Sequence, residues 1–455
     1  MEKYDNIFIG FGQGPKVLAN TFTSHGETVL SIEAESSRYG GTCFTEGCIP
    51  SKKLLFMSKK TPGQSPRENY RNAITEKEWT VETLRNVGYH MIADGGAKVI
   101  NGVGSFIGNH QVRVTSPNGE SKDYEGTRII INTGSKPIMP NIDGLASNKR
   151  VFDSAGIMNL KELPDKLVII GAGAIGLEFA TIYNNFGSKV TLIENAQNFM
   201  PAATRAVADH VRANLEASGI RILTDAKVTD VKDTDRGADI SINMQSGQVL
   251  NVTSDAVLVA TGRKPDIDRL NLNNTDIKLT DGRIDFNDHL ETSVPNVFVE
   301  GDVKGGPQFT SISLSDNRII TDYIYGDAKI GVESEQSVFP TTVFLNTPLS
   351  RIGMTSDEAL HSGKHVGIGH LDAGDTLRSR ITGDETGFME VLVDLDSKLV
   401  IGATLYIDNA EEVINLIELV MREGLPYTSL MNMTYTHPVS SEMLFFLLND
   451  LKELK

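Results

Sequence analysis

The 455-residue sequence predicts an α/β fold carrying two dinucleotide-binding units, and three observations predict it. Val168-Ile169-Ile170-Gly171-Ala172-Gly173-Ala174-Ile175-Gly176 is a complete Gly-x-Gly-x-x-Gly after an apolar strand, and the strand Lys189–Glu194 follows, ending in an acid. The same order recurs near the N-terminus: a buried strand over 4–10, the turn Gly10-Phe11-Gly12-Gln13-Gly14, and the strand Thr28–Glu33. Each copy closes on a similar strand and turn, Ile131-Asn132-Thr133-Gly134-Ser135-Lys136-Pro137 in the first and Val259-Ala260-Thr261-Gly262-Arg263-Lys264-Pro265 in the second. One glycine turn arises easily by chance; two with matched partners point to two nucleotides on one chain.

Taken in order, the first turn lets backbone approach a pyrophosphate at a helix N-terminus, where free N–H groups and the helix dipole favour an anion. Its third glycine position is Pro15, which a helix tolerates in its first turn. Glu33 stands where a ribose hydroxyl is bound. Next comes Tyr39-Gly40-Gly41-Thr42-Cys43-Phe44-Thr45-Glu46-Gly47-Cys48-Ile49-Pro50-Ser51-Lys52, holding the only two cysteines of the chain. In a regular helix, residues five apart diverge beyond the ~7 Å that a disulfide spans, so a bridge needs a distorted turn, which Gly47 and Pro50 can supply. Spacing alone leaves two buried thiols or a redox pair open; no histidine is nearby and two thiolates do not complete a zinc site. Residues 61–66 read as a loop, 79–94 as an amphipathic helix and 98–116 as strands. In the second copy, the carboxylate of Glu194 suits both ribose hydroxyls of NAD and repels a 2′-phosphate, and Asn195-Ala196-Gln197-Asn198 brings no arginine to hold one. From Phe339 onward the pattern changes again, and Thr436-His437-Pro438-Val439-Ser440-Ser441-Glu442 stands near the end.

The bulk numbers set bounds. At 40% hydrophobic and 22% charged residues the chain is an ordinary globular protein, long enough for roughly two to four domains. A net charge of −16 argues against nucleic acid and anionic membranes as partners. No apolar run reaches the roughly 18 residues of a membrane span, Met1–Asp5 leads straight into a strand rather than a signal peptide, and two cysteines make no extracellular scaffold. The expected location is cytoplasmic.

The segment Gly40-Gly41-Thr42-Cys43, four residues, then Cys48-Ile49-Pro50-Ser51-Lys52 resembles the active-site segment of the flavoprotein disulfide reductases. These class I pyridine nucleotide-disulfide oxidoreductases include dihydrolipoamide dehydrogenase, glutathione reductase and mercuric reductase. The resemblance covers essentially the whole chain. It implies two Rossmann-like domains, for FAD and NAD, plus a C-terminal α+β dimerisation domain. The FAD domain would be discontinuous (1–147 and 271–337), the NAD domain inserted at 148–270, and the interface domain would occupy 338–455. FAD is expected on Gly10, Gly12, Gly14, Glu33, Gly41, Thr42, Thr133 and Gly134, with Asp302 of the Val299-Glu300-Gly301-Asp302 segment on the ribityl chain. NADH is expected on Gly171, Gly173, Gly176, Glu194 and Gly262. By family order Cys48 is the flavin-proximal, charge-transfer thiol and Cys43 the interchange thiol. Lys52 would sit near the flavin's reactive nitrogen and pair with Glu178. His437 and Glu442 would form a dyad reaching into the partner's site, so that the homodimer shares its active sites.

Within the family the chain is most similar to the bacterial reactive-chlorine-resistance flavoreductases, through Tyr39, Gln308-Phe309-Thr310, Ile312-Ser313-Leu314, Arg318-Ile319, 348–355 and the Thr-His-Pro tail. That implies NADH-dependent reduction of a small oxidant, hypothiocyanous acid first, with no resident metal. Dihydrolipoamide dehydrogenase, a copper(II) or other metal-ion reductase, and a non-catalytic flavin-binding sensor are the alternatives. Mercuric-reductase and thioredoxin-reductase chemistry are disfavoured, because no further C-terminal cysteine pair exists. Phe44-Thr45-Glu46 departs from the family's usual insert, and Glu46 places a negative charge between the cysteines that works against a thiolate and anionic substrates.

Overall fold

The computed structural model describes residues 1–59 and 63–454. They form two compact units: Met1–Pro140 with Phe152–Leu163 and Thr261–Ser337, and Asn141–Val151 with Pro164–Ala260 and Val338–Lys455. The first unit begins β1 (Glu2–Ile9), α1 (Gln13–Ser24), β2 (Val29–Glu33), α2 (Gly41–Thr45), α3 (Cys48–Ser58), α4 (Pro66–Ala93), β3 (Lys98–Asn101), β4 (Val103–Gly108), β5 (Gln111–Thr115) and β6 (Ser121–Ile131). Its sheet runs β3–β2–β1–β6–β5–β4, with the strand Val297–Val299 also paired to β6. β1 lies parallel between β2 and β6 and is covered on both faces, which is why Ile7-Phe8-Ile9 is a continuous apolar run and not an alternating one. Ile7, Ile9, Leu30, Ile32, Ile129 and Ile131 pack on one face; Phe8, Leu18, Phe22, Val29 and Ile130 pack on the other. This register brings Gly10, Glu33 and Asn132, at the carboxyl ends of β1, β2 and β6, to the edge where open α/β sheets bind ligands.

The strands expected across 98–116 form as β3, β4 and β5. The helix expected at 79–94 begins much earlier, at Pro66. Ser65 caps it, accepting the Glu68 N–H at 3.3 Å, and Pro66 takes a first-turn position whose N–H is not needed. Polar residues over 67–78 hide the periodicity in the sequence, yet Tyr70, Ala73, Ile74 and Lys77 are buried at helical spacing. Of the expected 61–66 loop, Thr61 and Pro62 lie outside the described residues.

In the second unit a parallel sheet runs Arg221–Leu223, Lys189–Ile193, Lys166–Ile170, Ala256–Val259, and the helix Ala174–Phe186 follows the glycine turn. Beyond residue 338 the chain builds the expected α+β layer. It is an antiparallel sheet in the order Thr341–Val343, Leu349–Gly353, Leu399–Tyr406, Phe388–Asp394, Val366–Asp372, Lys452–Glu453. The helix Ala410–Arg422 buries Val413, Ile414 and Ile417 against Met389, Val391, Val393 and Leu405. Among the described residues no helix is long and apolar enough to cross a membrane.

Candidate redox site

The cysteine segment is a helix broken in two. α2 ends after Thr45, and α3 restarts at Cys48 through Gly47, with φ −136° and ψ −115°. A Cβ on Gly47 would stand 2.8 Å from the Thr42 carbonyl oxygen, so this close return of the chain admits only glycine. Pro50 does not make the break. It sits in the first turn of α3, where its missing N–H costs nothing. Both cysteines are thiols, Cys43 half-buried and Cys48 exposed. The Cys48 Sγ lies 3.7 Å from the Thr310 Oγ1, on the first residue of the helix Thr310–Tyr325. The Cys43 thiol is pushed up by its hydrogen bond with Cys48 and then by burial, while Thr310 and Lys16 act the other way. Two thiols so close titrate as a pair, and the first proton lost leaves one thiolate held by its neighbour. Glu46 does not face the cysteines as a bare charge, because the Arg38 guanidinium pairs with its carboxylate. Lys52 is half-buried, one turn beyond Cys48 on α3.

Around the first glycine turn, Asn132 is the organiser. Its Oδ1 accepts the Gly12 N–H at 3.1 Å and its Nδ2 donates to the Glu300 carbonyl at 2.7 Å. Gly41 comes against Gly12, the Gly10–Gly14 turn leads into α1, and Pro15 sits in that helix's first turn as expected. Thr42 is exposed, and Thr133 donates to the Asp266 carbonyl at 2.7 Å. Asp302 is held by the Ser135 hydroxyl at 2.8 Å, and Arg263 fixes Ser135 through bonds of 2.9 Å to its Oγ and 2.7 Å to its carbonyl. Behind this turn the buried Asp316 accepts the Gly301 N–H at 2.8 Å, the Gln336 amide at 2.6 Å and the Lys304 ammonium.

These residues fit a dinucleotide. α1 starts at Gly12 with no side-chain cap and no acid in its first turn, so its N–H groups face an incoming anion. Gly134 has no atom within 4 Å of where a side chain would begin. Burial pushes the Glu33 carboxyl up to about 7, while the Glu35 N–H, donating at 3.0 Å, pulls it back.

In the second unit the fit recurs. The helix Ala174–Phe186 starts at Gly173 without a side-chain cap, and the space beside Gly173 is open within 4 Å. A Cβ on Gly176 would lie 2.0 Å from the Gly171 carbonyl oxygen, which is the close helix–strand packing that the third glycine serves. Both oxygens of Glu194 are used, accepting the Ala172 N–H at 3.0 Å and the Ala196 N–H at 2.8 Å. Gly262, expected with this group, lies in the first unit, where its carbonyl accepts the Ile138 N–H at 2.9 Å. Glu178 is buried and accepts the Phe344 N–H at 3.1 Å. His437 and Glu442 lie together: the His437 Nδ1 is 2.9 Å from the Glu442 Oε2, and the Val439 N–H donates to the other oxygen at 3.1 Å. Burial raises the Glu442 carboxyl, but these two bonds outweigh it and leave its pKa below the ordinary value. His437 itself is exposed. Among the described residues no three His, Cys, Asp or Glu side chains gather as metal ligands.

Sequence reasoning assigned no role to Asn132, Ser135, Arg263 or Thr310. The one signal for the first three is that the two closing turns differ there, Asn132 against Ala260 and Ser135 against Arg263.

Comparison with known proteins bears on this geometry. Residues 4–316 match the family described as pyridine nucleotide-disulphide oxidoreductase, and residues 339–445 match its dimerisation domain. The chain is 38% identical over 456 residues to the probable pyridine nucleotide-disulfide oxidoreductase RclA of Escherichia coli K12, with 100% of each covered. It is 27% identical over 451 residues to a dihydrolipoyl dehydrogenase of Staphylococcus aureus, covering 96% of this chain and 94% of the other. A solved structure described as the Cu(II) complex of the HOCl-induced flavoprotein disulfide reductase RclA from E. coli superposes with a TM-score of 0.92 at 36% identity, over 99% of each chain.

Proposed function

The chain belongs to the pyridine nucleotide-disulphide oxidoreductase family, and from that membership we propose an NADH-dependent reductase of a small electrophilic oxidant, hypothiocyanous acid foremost, that serves defence against reactive chlorine. The family's cofactors are FAD and a nicotinamide nucleotide, and the dimerisation domain makes the protein a homodimer. One observation supports the substrate class above others. The full-length identity is 38% to the relative whose structure is described as HOCl-induced, against 27% to the dihydrolipoyl dehydrogenase.

Bound FAD supplies the relay that takes two electrons from NADH to the Cys43–Cys48 disulfide. Gly10, Gly12, Gly14 and the start of α1 would hold its pyrophosphate, Glu33 a ribose, and Asp302 the ribityl chain, with Gly41, Thr42, Thr133 and Gly134 lining it. Gly171, Gly173, Gly176, Gly262 and Glu194 would hold NADH. Lys52 would place its ammonium near the flavin's reactive nitrogen. In the oxidant half-reaction the Cys43 thiolate attacks the sulfur of hypothiocyanous acid, forming a sulfur–sulfur bond as the sulfur–oxygen bond breaks, and the hydroxide released takes a proton and leaves as water. The Cys48 thiolate then attacks the Cys43 sulfur, closes the disulfide and expels thiocyanate. His437 would supply the proton across the dimer, with Glu442 fixing its tautomer. Copper(II) reduction by the same thiols is a second reading, favoured by the relative's copper complex.

The test is NADH consumption by the purified holoenzyme with hypothiocyanous acid and lipoamide in parallel, for the wild type and Cys43→Ser. Turnover with hypothiocyanous acid alone, lost in the variant, is expected. Turnover with lipoamide instead would overturn the substrate reading.

A further inference from the structure

Lys16 is a buried cation that the proposed chemistry does not use. Lys16 follows Pro15 at the start of α1 and is 3% exposed. Among the described residues its ammonium makes no hydrogen bond or ion pair; its Nζ stands 3.4 Å from the centroid of the Phe44 ring. Phe44 is the residue after Cys43, and its ring is lodged against Gly40, where a Cβ would come within 2.6 Å of it. An aromatic face attracts an ammonium and replaces part of its lost hydration without neutralising it. A carboxylate partner would have cancelled the charge, whereas a ring leaves its field intact. The group that feels the field is Cys43. Burial pushes the Lys16 ammonium down to about 8, Cys43 opposes that fall, and Lys16 in turn pulls the Cys43 thiol downward.

Other titratable groups nearby do not replace it. Cys48 becomes a second anion and so raises Cys43. Arg38 and Glu46 are paired with each other. Glu300, whose carboxyl lies against Gly14, is pushed well above its ordinary range by burial, which disfavours its charged form.

We propose that Lys16 is a positioning residue of the cysteine chemistry: held over the Phe44 ring, its ammonium is the counter-ion that favours the thiolate of Cys43 over the thiol when the oxidant is attacked. No bond to Lys16 forms or breaks. The inference rests on Cys43 being the thiol that meets the oxidant, but its test needs no oxidant, so failure of the substrate reading and failure of this one are told apart.

In a Cys48→Ser holoenzyme Cys43 is the sole thiol, and its alkylation by iodoacetamide across pH reports its ionisation alone. Adding Lys16→Met is expected to raise the Cys43 pKa by at least about one unit and to slow alkylation at pH 7 about tenfold, with the high-pH plateau unchanged. Lys16→Arg should keep the wild-type profile. Superimposable profiles for Lys16 and Lys16→Met would overturn the proposal. A second measurement leaves Lys16 in place: NMR titration of isotopically labelled lysine in the Cys48→Ser protein, before and after capping Cys43 with neutral carbamidomethyl. Coupling is reciprocal, so the Lys16 pKa should fall on capping, and an unchanged value refutes the counter-ion role even if Lys16→Met does not fold.

Discussion

Replacing Lys304 by methionine is expected to cost the first unit about 4 kcal/mol, a figure that two routes give independently. Lys304 is 5% exposed and Asp316 is 0% exposed, and the ammonium meets the carboxylate directly. Burial pushes the Asp316 carboxyl up; the Lys304 charge and hydrogen bond, then Gly301 and Gln336, pull it back. Without Lys304 the buried carboxylate either stays ionised with no counter-ion, a loss of about 3–5 kcal/mol for a broken buried pair, or takes a proton. Protonation at pH 7 of a carboxyl that ionises near 4 when unfolded costs about 1.4 kcal/mol for each of roughly three pH units, again about 4 kcal/mol. The routes differ in pH dependence. On the second, the folded variant holds a proton that its unfolded chain releases, so the deficit shrinks by about 1.4 kcal/mol per unit as pH falls toward 4. Because Asp316 also fixes the Gly301 N–H, flavin retention should weaken together with stability. Chemical unfolding of the holoenzyme, followed by flavin release at pH 7 and pH 5, measures both. Lys304→Met/Asp316→Asn should recover most of the loss, since no buried charge is left unpaired. A single-variant deficit under about 1 kcal/mol at pH 7 would refute the reasoning.

Two further outcomes are expected. Glu300 is fully buried, and burial first, then Asp316, raises its carboxyl well above the ordinary range against the pull of Lys304. The folded state therefore keeps a proton that the unfolded chain loses above about pH 4.3, and stability falls with rising pH by about 1.4 kcal/mol per unit until the folded group ionises; Glu300→Gln should flatten that slope above about pH 5, and parallel slopes in unfolding curves would contradict it. Glu442→Gln removes the carboxylate that holds the His437 Nδ1 and should lower kcat on the order of 10²-fold with little change in flavin retention; an unaltered pH–rate profile for oxidant turnover would contradict the dyad's role.

What the sequence made legible were positions where backbone geometry permits one residue type. The return of the chain at Gly47 and the packing of Gly176 on Gly171 admit no side chain, and Glu33 ends β2 while Glu194 directly follows the strand Lys189–Ile193. The resemblance also pointed to His437 and Glu442, which meet over a single local turn. What stayed hidden depends on contacts far apart along the chain. Asn132 reaches Gly12 from the end of β6, Asp316 reaches back to Gly301, and Lys16 gains its meaning only once Phe44 is folded over it. The charge on Glu46 was legible, but its cancellation by Arg38 was not, because Arg38 lies in a short turn before the glycine pair with no periodicity to place it. The start of α4 was hidden for a different reason: its solvent-facing side is so polar that its buried positions do not stand out.

The repeat itself explains where unassigned site residues should be sought. The closing turns of the two copies pair with each other as antiparallel strands, Arg263 opposite Pro137, Lys264 opposite Lys136 and Pro265 opposite Ser135. The backbones of shared and differing positions alike make that pairing. The side chains that differ serve the site: Asn132 ties the first glycine turn to Glu300, and Arg263, itself in the ladder, fixes Ser135 on Asp302. Two copies of one unit thus report their common fold through identities and the specialised chemistry of the first copy through differences. Comparing a chain with itself separates the two before any relative is consulted.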